Sequence, residues 1–176
     1  HTATVNWGDG TINSFDPATS PISDSHVYCD NGSYTVTVTV TDDDAGVGSD
    51  TLTVTVGNVA PVVEAGADQS VNEGDTVSLD PATFSDAGTC DTHTATIDWG
   101  DGSPQDAGTV SELSGSGTVA GSHVYCDNGS YTVTVTVTDD DSGVGSDTFT
   151  VTVGNVNPVV EAGADQSVNE GDTVSL

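Results

Sequence analysis

The chain has 176 residues, of which 28 are acidic and none is lysine or arginine, so its formal charge at neutral pH is −28. We expect neither nucleic acid nor an anionic membrane surface as a partner, because proteins bind both through lysine and arginine. No apolar run approaches the roughly 20 residues that cross a bilayer, so no part of this segment is expected to insert into a membrane.

The sequence repeats itself. Residues 1–10, HTATVNWGDG, recur as HTATIDWGDG at 93–102. The sequence of residues 26–79 recurs almost unchanged at 123–176. The stretch that separates these blocks is longer in the second copy and differs in sequence, as expected for a solvent-facing connection that tolerates changes in length. The repeating unit is therefore shorter than about 100 residues, the size of one small domain.

The boundaries of the repeat are marked by proline. Pro61 and Pro158 each separate two β-like runs, a pattern typical of a linker followed by a new first strand. We predict that residues 1–59 form the C-terminal part of one repeat, 60–156 a complete repeat, and 157–176 the N-terminal strands of the next. Both termini then fall inside a repeat, so we expect the chain to be part of a longer tandem array.

The predicted elements are strands with a period of two. From His93 to Trp99, apolar and polar residues alternate and the run ends in the turn sequence GDG. From 131 to 138, one tyrosine and three valines alternate with threonines, and the same alternation recurs from 148 to 153. No stretch shows helical spacing. Short strands joined by turns of Gly, Asp, Asn and Pro predict an antiparallel β-sandwich.

These motifs resemble the PKD domain. The sequence WGDG, followed by HVY, DNGSYTVTVTVTD and a final GSDTxTVTV strand, is similar to this immunoglobulin-like sandwich, which occurs in tandem on bacterial, archaeal and animal cell-surface proteins. The resemblance covers essentially the whole chain. It implies an all-β fold of tandem immunoglobulin-like (PKD-type) antiparallel β-sandwiches, and a role as spacer, adhesive module or appendage of a secreted hydrolase.

A second motif points to the same sandwich. The spacing Asp127-x-Gly129-x-Tyr131, with its copy ending at Tyr34, is typical of a tyrosine corner before strand F. Within the complete repeat we place strand A and its continuation at 62–71, B at 76–84, C at 93–99, C′/D/E from 109 to 125, F at 131–138 and G at 147–153.

The two ends of such a sandwich carry different loops. The B–C and F–G loops lie at the end where the chain enters, which we call the leading end. The A–B, C–D and E–F loops lie at the end where it leaves, the trailing end. In a head-to-tail array, the trailing end of one repeat abuts the leading end of the next.

This arrangement predicts how the cysteines pair. Cys90 lies at the leading end and Cys126 at the trailing end, about 20 Å apart along strand C, whereas a disulfide needs Cα atoms within about 7 Å. We therefore predict an inter-repeat disulfide between Cys29 and Cys90, and a bond from Cys126 to a following repeat. The alternative is free thiols in a cytosolic protein.

Aspartates cluster in the loops at the leading end. Carboxylates that converge without a basic partner raise one another's pKa unless a hard cation binds them, and oxygen-only ligands favour Ca²⁺. Calcium sites near this end are compatible with the resemblance, but the spacing is not that of an EF-hand. The alternative is a solvated acidic surface of the halophilic kind. The candidate ligands are Asp42, Asp43, Asp44, Asp86, Asp91, Asp139, Asp140 and Asp141.

Catalysis is not expected from this chain. His1 and His93 begin strand C, and His26 and His123 lie on strand E, so each is a lone histidine for which packing or capping is the expected role. The other polar residues recur because the module recurs, and a catalytic site seldom does.

The sequence predicts a non-catalytic structural repeat of an extracellular or cell-surface rod, stalk or filament, stiffened by inter-repeat disulfides and calcium. Its expected partners are neighbouring repeats of the same array, in a homopolymer or filament. The alternative is an adhesive module that binds carbohydrate or protein for an attached enzyme or adhesin. Near identity between the copies favours the structural role, since a dedicated binding site would usually distinguish one copy.

Overall fold

The structure is a computed structural model that describes residues 1–79 and 82–175. These residues fold entirely into strands joined by turns and loops. Among them, no helix has the length and apolar character needed to cross a membrane.

Residues 1–56 form one antiparallel sheet, which we call the first unit. Its strand order is β2-β1-β3-β4, and the long hairpin of β3 and β4 pairs from Gly32 opposite Val56 to Thr41 opposite Val47. The strands are β1 (Thr2–Asn6), β2 (Ile12–Phe15), β3 (Gly32–Thr41) and β4 (Val47–Val56).

The following residues form a more complete sandwich, the second unit. One eight-stranded sheet has the order β5-β8-β11-β10-β9-β13-β14-β6, and a two-stranded sheet pairs β12 with β7. All pairs are antiparallel except β14 with β6. The strands are β5 (Val62–Glu64), β6 (Gln69–Asn72), β7 (Thr76–Ser78), β8 (Ala82–Ser85), β9 (His93–Asp98), β10 (Asp106–Leu113), β11 (Ser116–Ala120), β12 (Ser122–Val124), β13 (Gly129–Asp139) and β14 (Val144–Gly154).

The strands predicted by period two are present, and strand B is divided. Strand A and its continuation correspond to β5 and β6, and the chain between them turns to contact β14: the Ala65 amide donates to Asp147 (2.9 Å) and the Thr150 amide donates to Asp68 (2.8 Å). Strand B becomes β7 and β8, and the two residues of that prediction between 79 and 82 lie outside the described residues. Strands C, F and G correspond to β9, β13 and β14.

The core of the second unit lies between its sheets. Val133, Val135 and Val137 on β13 are fully buried, and Trp99 and Tyr125 are the largest fully buried side chains among the described residues. Alternate residues of β13 thus face the core, as the period-two pattern predicts.

The recurring aromatic motifs form one stack. Trp99 stacks on His123 (ring centroids 5.2 Å apart), His123 meets the edge of Tyr125 (4.8 Å), and Tyr125 stacks on Tyr131 (4.4 Å). The Tyr125 hydroxyl donates to the Trp99 carbonyl at 2.8 Å. The Tyr131 hydroxyl donates to the Asp127 carbonyl at 3.0 Å, which confirms the predicted tyrosine corner. The first unit repeats this stack with its own WGDG, HVY and DNGSY residues.

The first unit exposes one face of its sheet. Phe149 in the second unit is 4% exposed, whereas its counterpart Leu52 is 55% exposed, because the first unit has no strands equivalent to β5–β8. Residues 157–175 form no strand. Their sequence repeats that of β5 to β7, whereas β8, which pairs with β5, occurs once in residues 1–176, and β14, which pairs with β6, has its one copy in β4.

Candidate cation site at the junction between the repeats

Two loops of the second unit meet at the end that faces the first unit. The β8–β9 loop and the β13–β14 turn are joined by the Thr92 amide, which donates to the Asp140 carboxylate at 2.9 Å. This bond is the largest cause that lowers the pKa of Asp140. The two loops together form the leading end of the second unit.

A disulfide links the units at this end. Cys29, just before β3, is bonded to Cys90 in the β8–β9 loop, with 5.3 Å between their Cα atoms. The Cys90 amide also donates to the Cys29 carbonyl at 3.2 Å. This is the pair named from the sequence. Cys126 at the trailing end is a free, exposed thiol in this chain, and its pairing with a following repeat stays a prediction.

The linker between the units packs closely on the β13–β14 turn. The Asn58 amide group donates to Asp139 at 2.9 Å. A Cβ added at Gly143 would lie 2.8 Å from Asn58 Nδ2, and one added at Gly145 would lie 1.9 Å from the Pro61 carbonyl oxygen. A side chain at Gly145 would collide with the backbone of Pro61, and one at Gly143 would displace the side chains of Asp139 and Asn58, so the linker is held by contacts as well as by chain connectivity.

Carboxylates converge behind the disulfide in two groups. Asp30 of the first unit lies with Asp91 and Asp141 of the second, and Asp91 also lies with Asp86 and Asp139. Within each group, one carboxylate oxygen from every residue lies within 4.8 Å of the others. Of the predicted ligands, the structure thus brings together Asp86, Asp91, Asp139 and Asp141. It adds Asp30, which was not predicted.

Asp91 is the member shared by both groups. It is 8% exposed, and its Oδ1 is buried without a hydrogen-bond partner among the described residues. Burial and then the charges of the neighbouring aspartates, Asp86 foremost, raise the pKa of Asp91 to about 6. A buried, unpaired carboxylate oxygen is costly in free energy, so this position favours an added cation.

The inner carboxylates are held by the backbone. Asp86 accepts from the Gly88 amide at 2.9 Å, and Asp139 accepts from the Gly143 amide at 2.6 Å as well as from Asn58. Their orientation is therefore fixed by the same two loops that form the leading end.

His93 is fully buried next to this cluster. Its Nδ1 lies 2.7 Å from Glu112 Oε2 and its Nε2 lies 3.1 Å from Asp86 Oδ2. Burial lowers the pKa of His93, but the hydrogen bonds to Asp86 and Glu112 outweigh it and the pKa is raised. The predicted packing role thus includes pairing with two carboxylates, Asp86 and Glu112, which no recognisable motif in the sequence links to His93.

The remaining predicted ligands lie elsewhere. Asp42, Asp43 and Asp44 occupy the β3–β4 turn, at the far end of the first unit from the junction, and join no converging group of three within residues 1–79 and 82–175. Asp42 Oδ1 instead accepts from the amides of Gly46 (2.6 Å) and Asp44 (3.1 Å). Asp140, bonded to Thr92, is likewise outside both groups. Within residues 1–79 and 82–175, the second copy of DDD is the one that lies against a preceding unit, so the role predicted for Asp42, Asp43 and Asp44 stays a prediction.

Two residues of the junction were missed. Asp30 directly follows Cys29, so the predicted pairing of that cysteine was a signal that Asp30 also reaches the leading end of the next repeat. Asn58 had no comparable signal, because its role depends on how the linker folds back on Asp139.

The donor set fits a hard cation. Ca²⁺ binds oxygen at 2.3–2.6 Å, so oxygens on opposite sides of one ion lie about 5 Å apart, which matches the observed convergence within 4.8 Å. Mg²⁺ requires shorter bonds and a stricter octahedron. Asp30, Asp91 and Asp141 offer only carboxylate oxygens. This group therefore lacks the nitrogen and sulfur ligands that are typical of zinc sites.

Comparison with known proteins addresses the fold and the family. The sequence model of the PKD domain matches residues 1–56 and 58–153. None of the curated proteins compared with the chain matches it. Among solved structures, the PKD domain of an M14-like peptidase from Thermoplasmatales archaeon SCGC AB-540-F20 is 25% identical, with a TM-score of 0.43 over 56% of this chain and 99% of that one.

Two further solved structures are similar. The fibronectin(III)-like modules of Clostridium thermocellum CbhA are 17% identical, with a TM-score of 0.43 over 93% of this chain and 83% of that one. The extracellular cadherin domains 3–6 of Protocadherin Gamma B2 are 20% identical, with a TM-score of 0.36 over 69% of this chain and 33% of that one. The match to the PKD model covers both units, and the chain belongs to the PKD domain family.

Proposed function

We propose that this chain is a non-catalytic structural segment of an extracellular rod, stalk or filament, in which each PKD repeat is clamped to the next. The observation that carries this proposal is the disulfide between Cys29 of the first unit and Cys90 of the second. A covalent bond beside the linker connects successive units at two points, and two points of attachment restrict pivoting far more than one. Persistent disulfides are typical of oxidising, extracellular compartments.

The noncovalent contacts at the junction also restrict pivoting between the two units. Asn58 donates a hydrogen bond to Asp139, and the backbone of Pro61 leaves no space for a side chain at Gly145. Extended across an array, the same contacts would align each repeat on its neighbours. The partners we propose are therefore other repeats of the same array, which assemble as a homopolymer or filament.

Calcium is the proposed cofactor of this assembly. A chain with a formal charge of −28 and no basic side chain cannot neutralise the carboxylates at the junction by itself. A cation that binds only the folded array stabilises it by RT ln(1 + [L]/Kd), about 2.7 kcal/mol at a hundredfold excess over Kd. Calcium would then oppose the repulsion between adjacent units.

The clamp can be tested by measuring how the two units tumble in solution. ¹⁵N relaxation of the full chain should give one shared rotational correlation time for both units when Cys29 and Cys90 are bonded. In the variant carrying Cys29→Ser and Cys90→Ser, the units should tumble more independently. Cys126→Ser is the matched control, because Cys126 is free and exposed, and it should behave like the wild type. Identical relaxation in all three proteins would refute the clamp.

The assembly can be tested on the intact native protein by negative-stain electron microscopy. Regular filaments or rods support the structural role. Isolated globular particles would contradict it and favour the adhesive alternative.

A further inference from the structure

We propose that Asp30 of one repeat and Asp91 and Asp141 of the next form a single hard-cation site, which the Cys29–Cys90 disulfide assembles, so that cation binding is coupled to the redox state of the junction. The inference rests on the proposed function, in that it specifies where the cation binds and what controls its affinity. It differs from the sequence-based prediction because the site is shared between two repeats, whereas the predicted ligands came from the leading-end loops of one repeat.

The ligands are tied to the disulfide by chain connectivity. Asp30 directly follows Cys29, and Asp91 directly follows Cys90, so the bond that joins the cysteines also brings these two carboxylates together. The Tyr34 hydroxyl fixes the backbone of this segment by donating to the Asp30 carbonyl at 3.0 Å. The position of Asp30 is therefore set by the tyrosine corner of its own unit and by the covalent bond to the next.

The second observation is the unpartnered carboxylate of Asp91. Its Oδ1 is buried and accepts no hydrogen bond within the described residues, and one oxygen of the same carboxylate lies within 4.8 Å of oxygens of Asp30 and Asp141. Asp86 and Asp139, by contrast, already accept backbone hydrogen bonds. Since a buried oxygen without a donor is costly, a bound cation supplies what the protein does not. Asp30 and Asp91 also line a cavity open to solvent, which gives an ion a path to the site.

The coupling follows from linkage. Without the disulfide, Asp30 is held near Asp91 only by the linker and its contacts. The effective concentration of the Asp30 carboxylate at the site formed by Asp91 and Asp141 therefore falls. If the disulfide raises the affinity for the cation by a given factor, the bound cation raises the equilibrium constant for disulfide formation by the same factor. The cation therefore stabilises the disulfide against reduction. Dithiothreitol is a suitable reductant: it supplies two electrons and two protons, the S–S bond breaks, two thiols form, and dithiothreitol becomes its cyclic disulfide.

The test is calorimetric titration of the full chain with CaCl₂ at fixed ionic strength. Asp30→Asn should weaken the tightest binding event by about tenfold or more, within the usual range of coupling between sites. The matched control is Asp127→Asn, which changes the repeat copy of Asp30 at the trailing end, where no following unit is present in this chain. A second matched pair is Asp141→Asn against Asp44→Asn. Both controls should bind as the wild type does.

The dependence of Ca²⁺ affinity on the disulfide is tested in the same titration. The variant carrying Cys29→Ser and Cys90→Ser should bind Ca²⁺ about tenfold more weakly, whereas Cys126→Ser should not differ from the wild type. In the reciprocal experiment, CaCl₂ should shift the dithiothreitol concentration at half-reduction upwards, and by more than NaCl does at equal ionic strength. Thermal melts establish that each variant folds, so weaker binding is not mistaken for unfolding.

Several results would overturn the inference. If Asp30→Asn and Asp127→Asn bind Ca²⁺ equally, the acidic surface binds cations without a shared site. If the cysteine variant retains full affinity, the coupling is absent. Either result leaves the proposed clamp intact provided that the relaxation experiment still shows joint tumbling. Conversely, independent tumbling of the oxidised units with normal titration results would contradict the clamp and not the cation site.

Discussion

Asp91 lies among the carboxylates of four other aspartates, and its environment determines how the junction responds to pH. Burial first, and then the charges of Asp86, Asp30, Asp140 and Asp139, raise its pKa from 3.8 to about 6. Between these two values the folded protein binds more protons than the unfolded chain. The free energy of unfolding therefore decreases as the pH rises through this window.

We expect the melting temperature in the presence of a chelator to fall as the pH is raised from about 4 to about 7. Asp91→Asn should reduce this dependence and raise the melting temperature at neutral pH, because it removes the unpaired charge. The pKa of His93 is also raised, so His93 likewise lowers the melting temperature as the pH rises. The quantity to compare is therefore the slope of melting temperature against pH in the wild type and in Asp91→Asn. Asp43→Asn, at an exposed position far from the junction, is the control. A steeper slope for Asp91→Asn would contradict the assignment.

His93 is the only basic group within reach of Asp86 and Glu112 in the described part of the chain. His93→Leu keeps the volume but leaves the fully buried Asp86 side chain without this partner. Breaking a buried pair in this way costs about 3–5 kcal/mol, and we expect a loss of that order in urea unfolding at pH 6. The control is His1→Leu, the exposed counterpart in the first unit, which should change stability little. Equal effects of the two substitutions would show that the buried pair contributes nothing.

At the scale of elements, the β13–β14 hairpin and the β3–β4 hairpin have nearly the same sequence and different surroundings. We expect Gly145→Ala to destabilise the junction by about 1–3 kcal/mol, because its Cβ would lie 1.9 Å from the Pro61 carbonyl oxygen and the linker must move. Gly48→Ala is the matched control: it changes the repeat copy of Gly145, which has nothing within 4 Å. Denaturant unfolding measures both. A similar loss of unfolding free energy in Gly145→Ala and Gly48→Ala would mean that the linker does not pack against Gly145.

The strands were predictable because their signal is local. Alternation of valine and threonine on β13 reports which face is buried, and Val133, Val135 and Val137 are all fully buried. The position of the break between strand A and its continuation, and the break within strand B, were not predictable from alternation. The first depends on long-range bonds from Asp147 and Asp68, which connect residues that are far apart in the sequence.

The site was only partly predictable, for a related reason. Asp139–Asp141 and Asp42–Asp44 are identical in sequence, and among the described residues the former lie against a preceding unit, where Asp139 and Asp141 join converging carboxylates. Composition and loop position identified Asp86, Asp91 and Asp141 as candidates, whereas Asp30 required knowing which loop of the preceding repeat faces them. A cluster assembled from two repeats leaves no continuous motif in the sequence of either.

At the scale of the whole molecule, the absence of lysine and arginine has a direct consequence for proteolysis. Trypsin cleaves after these residues, and the sequence contains none. We expect the chain to remain intact in trypsin even after reduction and thermal unfolding, as judged by mass spectrometry. A protease that cleaves after acidic residues is the positive control and should degrade the unfolded chain. Tryptic fragments would show that other bonds are cleaved and that composition does not protect the chain.

The same composition makes the long-range electrostatics of the folded state repulsive. With a formal charge of −28 and no basic side chains, compaction brings like charges together, and only the histidines and the N-terminus can offset them. Raising NaCl from about 0.01 M to about 1 M shortens the Debye length from about 30 Å to about 3 Å and should screen this repulsion.

We therefore expect the melting temperature to rise with NaCl, by about 2–4 °C for each kcal/mol gained. Replacing the exposed Asp43 and Asp44 with asparagine should make the dependence shallower, since fewer charges remain to be screened. At equal ionic strength, CaCl₂ should stabilise the wild type more than NaCl does, because it binds the junction as well as screening the surface. If the two salts act equally, the acidity serves only as a solvated surface, and a melting temperature independent of NaCl would show that charge repulsion does not limit stability.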